Sequence, residues 1–249
     1  MKIIHLAAVA AACSFLCACG GSDGGGGNDA PPGATMYVQA VPTLGSLDTF
    51  VTADVDDQDN TINSGYEDSV TAVDADGSYQ LSRDDPSNRT VTVDGITYHY
   101  SPTVFQFGDA STNRGIETGY TYAPPSGGTV TCSVAVRSGG HAQPWYVGQA
   151  WTMAYDVTCG TTTTAYVESG SVDGVEAVTV PAGTFTALKL SSSLAWSTAS
   201  GQDVVEHVTS WVDPAHSLFA LKRTIAYQRS GNVPAHFLVG FTTELQSRH

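Results

Sequence analysis

From Met36 to the C-terminus apolar and polar residues alternate with a period of two, in runs of five to ten residues separated by Gly, Pro, Asn and Asp. No long stretch carries the 3.6-residue period of an amphipathic helix. The pattern predicts short strands over Met36 to Val41, Thr49 to Ala53, Ser69 to Val73, Ser78 to Ser82, Val104 to Phe107 and Gly119 to Tyr122. Thr90 to Val93, Asp94-Gly95 and Ile96 to Tyr100 read as a hairpin closed by a two-residue type I′ turn. The second half is more regular, with strands expected over Trp151 to Cys159, Thr163 to Ser171, Val175 to Val180, Thr184 to Trp196, Val204 to Val212, Leu218 to Arg229 and Ala235 to Leu245.

Several of these strands place their apolar residues on one face. Phe219, Leu221, Ile225 and Tyr227 are in phase, as are Ala235, Phe237, Val239, Phe241, Thr243 and Leu245. Half-apolar strands must curl or stack to hide that face. The expected fold is therefore all-β: an antiparallel curved sheet or an open or half β-barrel. Residues 35–143 read as an acidic β-rich part and 144–249 as an antiparallel meander, the two being separate or one continuous β domain over 35–249.

The first eighteen residues follow a different pattern. Lys2 is followed by an apolar run from Ile3 to Leu16, broken only by His5 and Ser14, and by small residues thereafter. This is the pattern of a signal peptide, too short for a comfortable membrane helix. Leu16-Cys17-Ala18-Cys19 resembles the lipobox of bacterial lipoproteins, with Cys13 a second candidate and an ordinary secretory signal ending near Ala18 the alternative. The resemblance implies cleavage before Cys19, diacylglyceryl (palmitate-type) modification of its thiol, and, with Gly20 following, sorting to the outer membrane of a Gram-negative envelope. Residues 19–34 then form a tether. Gly20 to Ala34 holds seven of the 26 glycines and no aliphatic anchor, which gives a coil reach of roughly 20 Å.

Charge sharpens this organisation. The 249 residues carry 24 acids and 10 bases, a net −14, and no window clusters Lys and Arg as a nucleic-acid backbone requires. Removing residues 1–18 takes away Lys2 and leaves −15. Residues 45–94 hold twelve acids against Arg83 and Arg89, whereas residues 95–249 are nearly balanced. Processing also leaves Cys132 and Cys159 as the cysteines of the folded body. Each is in phase with apolar strand neighbours, so the two can meet in a core as a disulfide, which suits an oxidising compartment. Two free buried thiols or a metal pair are the alternatives.

In the second half, Val147-Gly-Gln-Ala-Trp151, Val178 to Phe185 with Ala187-Leu-Lys, Ser210-Trp-Val-Asp-Pro214 and Leu218 to Lys222 resemble a class of uncharacterised β-rich bacterial envelope proteins. These are similar in build to the half-barrel periplasmic lipoprotein carriers. The resemblance spans roughly residues 144 to 230 and implies turn and packing roles, with Pro181-Ala182-Gly183 as a sharp corner and Trp151 and Trp211 as core or rim plugs. Ala215-His216-Ser217 departs from the Gly-Val-Gly expected after the Trp-x-x-Pro corner.

Candidate chemistry is sparse. From Met36 onward the chain contains no Gly-x-Ser-x-Gly elbow, His-Glu-x-x-His helix, Walker A loop or Cys-x-x-Cys pair. His141, His207, His216 and His236 are scattered among strand and turn residues. Asp54, Asp56, Asp57 and Asp59 place oxygens at spacings that suit Ca²⁺, but the EF-hand register fails at Ile62, and a solvated acidic loop is the plainer reading. Asn88-Arg89-Thr90 matches a glycosylation acceptor by accident of sequence. No cofactor is implied. The expected protein is lipid-anchored at the membrane and binds a hydrophobic ligand or an envelope partner without catalysis. The alternatives are a surface interaction module displaying the acidic segment and, behind it, an envelope hydrolase.

Overall fold

The computed structural model describes residues 30–84, 90–93, 96–99, 103–108, 116–123, 128–140, 143–199, 201–216, 218, 220–233 and 237–249. The signal segment, Cys19, most of the tether, Asn88-Arg89, Asp94-Gly95, His141, Phe219, Ala235 and His236 lie outside the described residues. The strands are β1 (Leu47–Asp56), β2 (Thr61–Val73), β3 (Tyr79–Asp84), β4 (Thr90–Val93), β5 (Ile96–His99), β6 (Thr103–Phe107), β7 (Glu117–Tyr122), β8 (Val130–Gly139), β9 (Ala150–Cys159), β10 (Thr162–Val180), β11 (Gly183–Ser197), β12 (Gln202–Val212), β13 (Ala220–Gly231) and β14 (Leu238–Arg248).

Twelve of these form one closed antiparallel barrel, and β4–β5 is a separate hairpin inserted between β3 and β6. The barrel is a meander, each strand pairing with its neighbour in sequence apart from that insertion, and it closes where β14 pairs with β1, with Phe50 opposite Leu245 and Thr52 opposite Thr243. The half-apolar strands thus solve their burial problem by full closure, which also leaves no edge strand in the barrel. Strands on both sides of residue 143 belong to the same barrel.

Burial alternates along the wall. In β1, Asp48, Phe50, Thr52, Asp54 and Asp56 are buried and the residues between them are not. In β9 the buried set is Trp151, Met153, Tyr155 and Val157. The outer wall presents Thr152, Asp203, His207 and Gln228 to solvent. A membrane-spanning barrel has the opposite polarity, with an apolar band outside.

Several strands are longer than their sequence pattern suggests. Asp54 and Asp56 belong to β1, not to a solvated loop, because β1 pairs with β14 and β2 along its whole length. Thr163 to Ser171 and Val175 to Val180 are one 19-residue strand, β10, in which Asp173-Gly174 makes a bulge and not a turn. Beyond the bulge the β10–β11 hairpin folds back. Val178, Val180 and Ala187 pack on Phe50, Leu221 and Leu245, and the Ala182 N–H donates to the Leu245 carbonyl at 3.1 Å. Gly183, at φ +136°, completes the Pro181-Ala182 corner. In β14 the irregularity between Val55 and Asp56 puts Leu238, in place of Val239, opposite buried Asp56, while Phe241 and Thr243 keep the expected face.

One end of the barrel is closed by the segment that follows the tether. Met36 to Val41 is not a strand; it makes a single bridge, in which Tyr37 and Trp145 exchange N–H···O bonds of 2.8 Å. The Gln39 N–H donates to Gln143 Oε1 at 2.9 Å, and Gln143 Nε2 donates to Gln39 Oε1 at 3.1 Å. Ala40 N–H reaches the Pro214 carbonyl at 2.6 Å. Beneath this cover Trp145, Trp151, Val172, Leu188 and Val212 form an apolar cluster. Buried Asp48 locks the same end: Arg248 Nε and Nη2 bond its carboxylate at 3.0 to 3.1 Å, and Nη2 also donates to the Leu218 carbonyl. Burial raises the Asp48 carboxyl above its ordinary value, against the pull of Arg248.

Candidate functional site: the barrel lumen

The inward side chains form an aromatic lining with a few charged groups set into it. Asp68 on β2 stands opposite Arg83 on β3, and the guanidinium makes two parallel bonds of 2.8 Å to the carboxylate. The geometry is the bidentate fork that favours Arg over Lys. Arg83 is sandwiched between Tyr66, at 4.2 Å, and Phe105, at 5.2 Å, and Phe50 stacks on the same Tyr66 at 4.9 Å. Burial alone would lower the Arg83 pKa, but the adjacent Asp68 carboxylate overrides it and holds the guanidinium above its ordinary value. Arg83 lies deep in the interior, yet its side chain retains 28% of its surface while Asp68 retains 9%. The guanidinium therefore keeps an accessible edge.

Glu117, at the start of β7, is placed inward by a register irregularity that sets it opposite Phe107. Burial pushes its carboxyl up to about 8, although Arg83 opposes the shift. Glu117, Glu168 of β10 and Glu206 of β12 all act electrostatically on the Tyr155 hydroxyl, whose pKa burial raises well above the ordinary range. Trp151 Nε1 donates to Glu168 Oε1 at 2.9 Å, and fully buried Glu206 acts electrostatically on the Tyr227 hydroxyl, whose pKa burial raises.

The apolar part of the lining is continuous. Tyr79 stacks on Phe107 at 4.6 Å, Phe105 meets Tyr120 at 6.1 Å, Tyr155 stacks on Tyr166 at 5.2 Å, and Tyr166 meets Trp196 at 5.7 Å. Burial pushes the Tyr166 phenol up to about 12, so it stays a neutral donor at physiological pH. Cys132 and Cys159 are direct partners on β8 and β9 and form a disulfide with S–S 2.04 Å, within hydrogen-bond reach of the Tyr120 hydroxyl.

The acidic cluster does not converge. Asp54 and Asp56 face inward; the Asp56 carboxylate accepts the N–H groups of Gln58 and Asn60 at 2.9 and 2.8 Å and Asn60 Nδ2 at 2.9 Å. Asp57 Oδ1 accepts the Phe237 N–H at 3.3 Å. These carboxylates tie the β1–β2 turn to the start of β14, and among the described residues no group of three or more His, Cys, Asp or Glu is placed to hold a metal ion. A Ser–His pair does form, Ser193 Oγ to His207 Nδ1 at 2.7 Å, but it stands on the exposed outer wall between β11 and β12. His216 sits 3.5 Å from Asp213 in the β12–β13 connection. Of the expected core or rim plugs, Trp151 is buried, and Trp211 donates from Nε1 to Glu176 at 2.6 Å with Lys189 and Lys222 over its ring.

Sequence reasoning missed Arg83, Asp68 and Glu117 because each falls one or two residues beyond the end of an expected strand, Ser78 to Ser82, Ser69 to Val73 and Gly119 to Tyr122, and inside the strand that forms. The available signal was an Arg among acids in a strand of aromatic and aliphatic alternates, Tyr79-Gln-Leu-Ser-Arg83.

No protein-family profile and no curated protein matches the chain. Among solved structures, a protein of Bacteroides fragilis assigned as exported and having a YmcC-like fold aligns over 86% of this chain and 99% of its own, at 10% identity and a TM-score of 0.46. A protein of Parabacteroides distasonis assigned as a lipoprotein aligns over 87% and 99%, at 11% identity and a TM-score of 0.47.

Proposed function

We propose that this is a lipid-anchored protein of the bacterial outer membrane, whose barrel binds an apolar or amphiphilic molecule in its lumen and performs no chemistry on it. The anchor reading rests on Leu16-Cys17-Ala18-Cys19 and on the polar outer wall, which suits a barrel standing in water and held to a membrane by other means. The binding reading rests on one observation: Arg83, held between the rings of Tyr66 and Phe105, keeps 28% of its side-chain surface accessible. A twelve-stranded barrel is roughly half as wide again as the eight-stranded ones that side chains just fill. An aromatic wall with a few placed polar groups is the lining of a small-molecule site. The Ser193–His207 pair lies outside that lumen, which argues against hydrolysis there.

Two measurements test the proposal. The full chain, expressed with its leader in a Gram-negative host and extracted from membranes, should release an apolar species into organic solvent that is absent from a mock preparation, and a native mass spectrum should show the same added mass. A clean apo mass, together with no response of Trp196 emission to titrated fatty acid or phospholipid, would exclude lumen binding. Unchanged fatty-acid incorporation in Cys19→Ser would exclude the anchor.

A further inference from the structure

We infer that the closed end of the barrel is a membrane-docking face, seated on the leaflet that carries the Cys19 lipid; the inference rests on the anchor reading above. Met36, Val38, Val41 and Leu44 are 43 to 65% exposed, and Val147, on the loop bridged to the same segment through Tyr37 and Trp145, is 46% exposed. The other exposed large aliphatics among the described residues are Val136 on β8, Val167 and Val175 on β10, and Val233 after β13. Scattered single residues need no explanation, whereas an apolar group concentrated on one end does.

Two features of the segment identify what covers it. The first is charge. From Ala30 to Leu47 the chain has no ionisable side chain except the Tyr37 phenol, and residues 143–149 of the facing loop likewise carry no Asp, Glu, Lys or Arg, in a protein of net −14. The segment and its facing loop are matched to an apolar boundary, with Asp74 and Asp76 of the β2–β3 turn and the C-terminal His249 as the charged groups at the rim of the same end, and the half-buried Tyr37 and Tyr146 have the amphipathic character favoured at membrane interfaces. The second is the position of the anchor. Ten residues lie between Cys19 and Ala30, where the described chain begins, and Pro31 to Ala34 close a turn through a 3.0 Å bond from Ala34 N–H to the Pro31 carbonyl. A coil of that length reaches roughly 18 Å. An r.m.s. reach of that size favours a lipid next to this end, since the β9–β10 turn at Gly160-Thr161 is a whole ten-residue strand away, roughly 33 Å along the strand and close to the limit of the same segment fully extended. Tether and patch together would hold the barrel upright, closed end down, with the far rim facing the aqueous compartment.

The experiment places a reporter at each end. Val38→Trp and Thr161→Trp are made separately in the full chain from Cys19, and the emission of the parent's own tryptophans is subtracted. The single thiol outside the Cys132–Cys159 disulfide, that of Cys19, is coupled to a maleimide phospholipid, so the chain is anchored whether or not a cell acylates it. Quenching by phosphatidylcholine brominated near the acyl ester is then read in phosphatidylcholine vesicles. The expected result is quenching at position 38 at least about twofold stronger than at 161, as for a side chain at the headgroup boundary, and loss of the difference when Val41→Glu and Leu44→Glu are added. Equal quenching at the two ends overturns the inference, as does protection of position 38 that is lost on dilution below one chain per vesicle, the mark of self-association through this face. The mass of the N-terminal peptide from cells reports separately on acylation, so failure of the anchor reading and failure of the docking face give different results.

Discussion

Gly170 on β10 lies directly opposite Trp151 on β9, and the indole ring occupies the space a side chain at 170 would need: an added Cβ would fall 2.3 Å from Trp151 Cζ2 and 2.8 Å from the Ser191 carbonyl oxygen. The Trp ring can lie flat on the wall because the glycine leaves it bare, and from there its Nε1 reaches Glu168. Gly170→Ala should therefore destabilise the barrel by about 1 to 3 kcal/mol through overpacking. Urea unfolding followed by near-ultraviolet circular dichroism checks this. Trp151→Leu in the same chain should recover part of the loss, and a fully additive double variant would show that the two residues do not interact.

The Asp68–Arg83 pair makes a second prediction. Arg83→Met leaves a carboxylate that is 6% exposed without its guanidinium, and breaking a buried pair costs about 3 to 5 kcal/mol. Asp68→Leu combined with Arg83→Met removes both charges and should restore much of that stability. A double variant as unstable as the single one would mean that the stacking of Arg83 on Tyr66 and Phe105, and not the ion pair, carries the energy.

These two sites differ in how far they could be read from the chain. The second-half strands were legible because residues such as Trp151, Met153, Tyr155 and Val157 alternate cleanly with Thr and Asp, and one buried face imposes that period. The hairpin of Val93 opposite Ile96 was legible for the local reason that only two residues connect its strands. Closure was not, because the Phe50–Leu245 pairing joins residues near opposite ends of the chain and leaves no local mark. The inward Asp48, Asp56 and Asp68 were also hidden: carboxylates on strand alternates look like surface, and only their partners, Arg248, Asn60 and Arg83, explain their burial. Asp173-Gly174 has the composition of a turn, but Gly174 is followed by residues that stay paired with β11, so the pair is a bulge.

The Cys132–Cys159 disulfide closes a loop with a sequence separation of 27 residues. On the chain-entropy account the cross-link is worth about 3.5 kcal/mol. The double variant Cys132→Ser/Cys159→Ser should lose about that much in urea, and reductant should lower the midpoint of the parent to the same value while leaving the variant unmoved. A midpoint insensitive to reductant, with no free thiol exposed on unfolding, would mean the bridge is not accessible to reduction; one free thiol pair without reductant would mean it does not form.

Glu117 predicts how stability depends on pH. Burial holds its carboxyl up to about 8 in the folded barrel, against an ordinary value of 4.5. Between those values the folded state keeps a proton that the unfolded state gives up, so ionisation favours unfolding and stability falls as pH rises. The contribution is intact below about 4.5, declines through the interval, and is fully lost above about 8. Glu117→Gln keeps the neutral form at every pH. The melting temperature of the variant should therefore stay level with the parent's near pH 4, rise above it progressively from pH 5 to 8, and hold a constant margin beyond. Because Asp48 and the other carboxylates titrate in both proteins, the difference between the two curves isolates this group. A difference that is flat with pH would show that Glu117 is hydrated and ionises normally, and a margin of the opposite sign would show that Arg83 uses the carboxylate as a partner in the folded state.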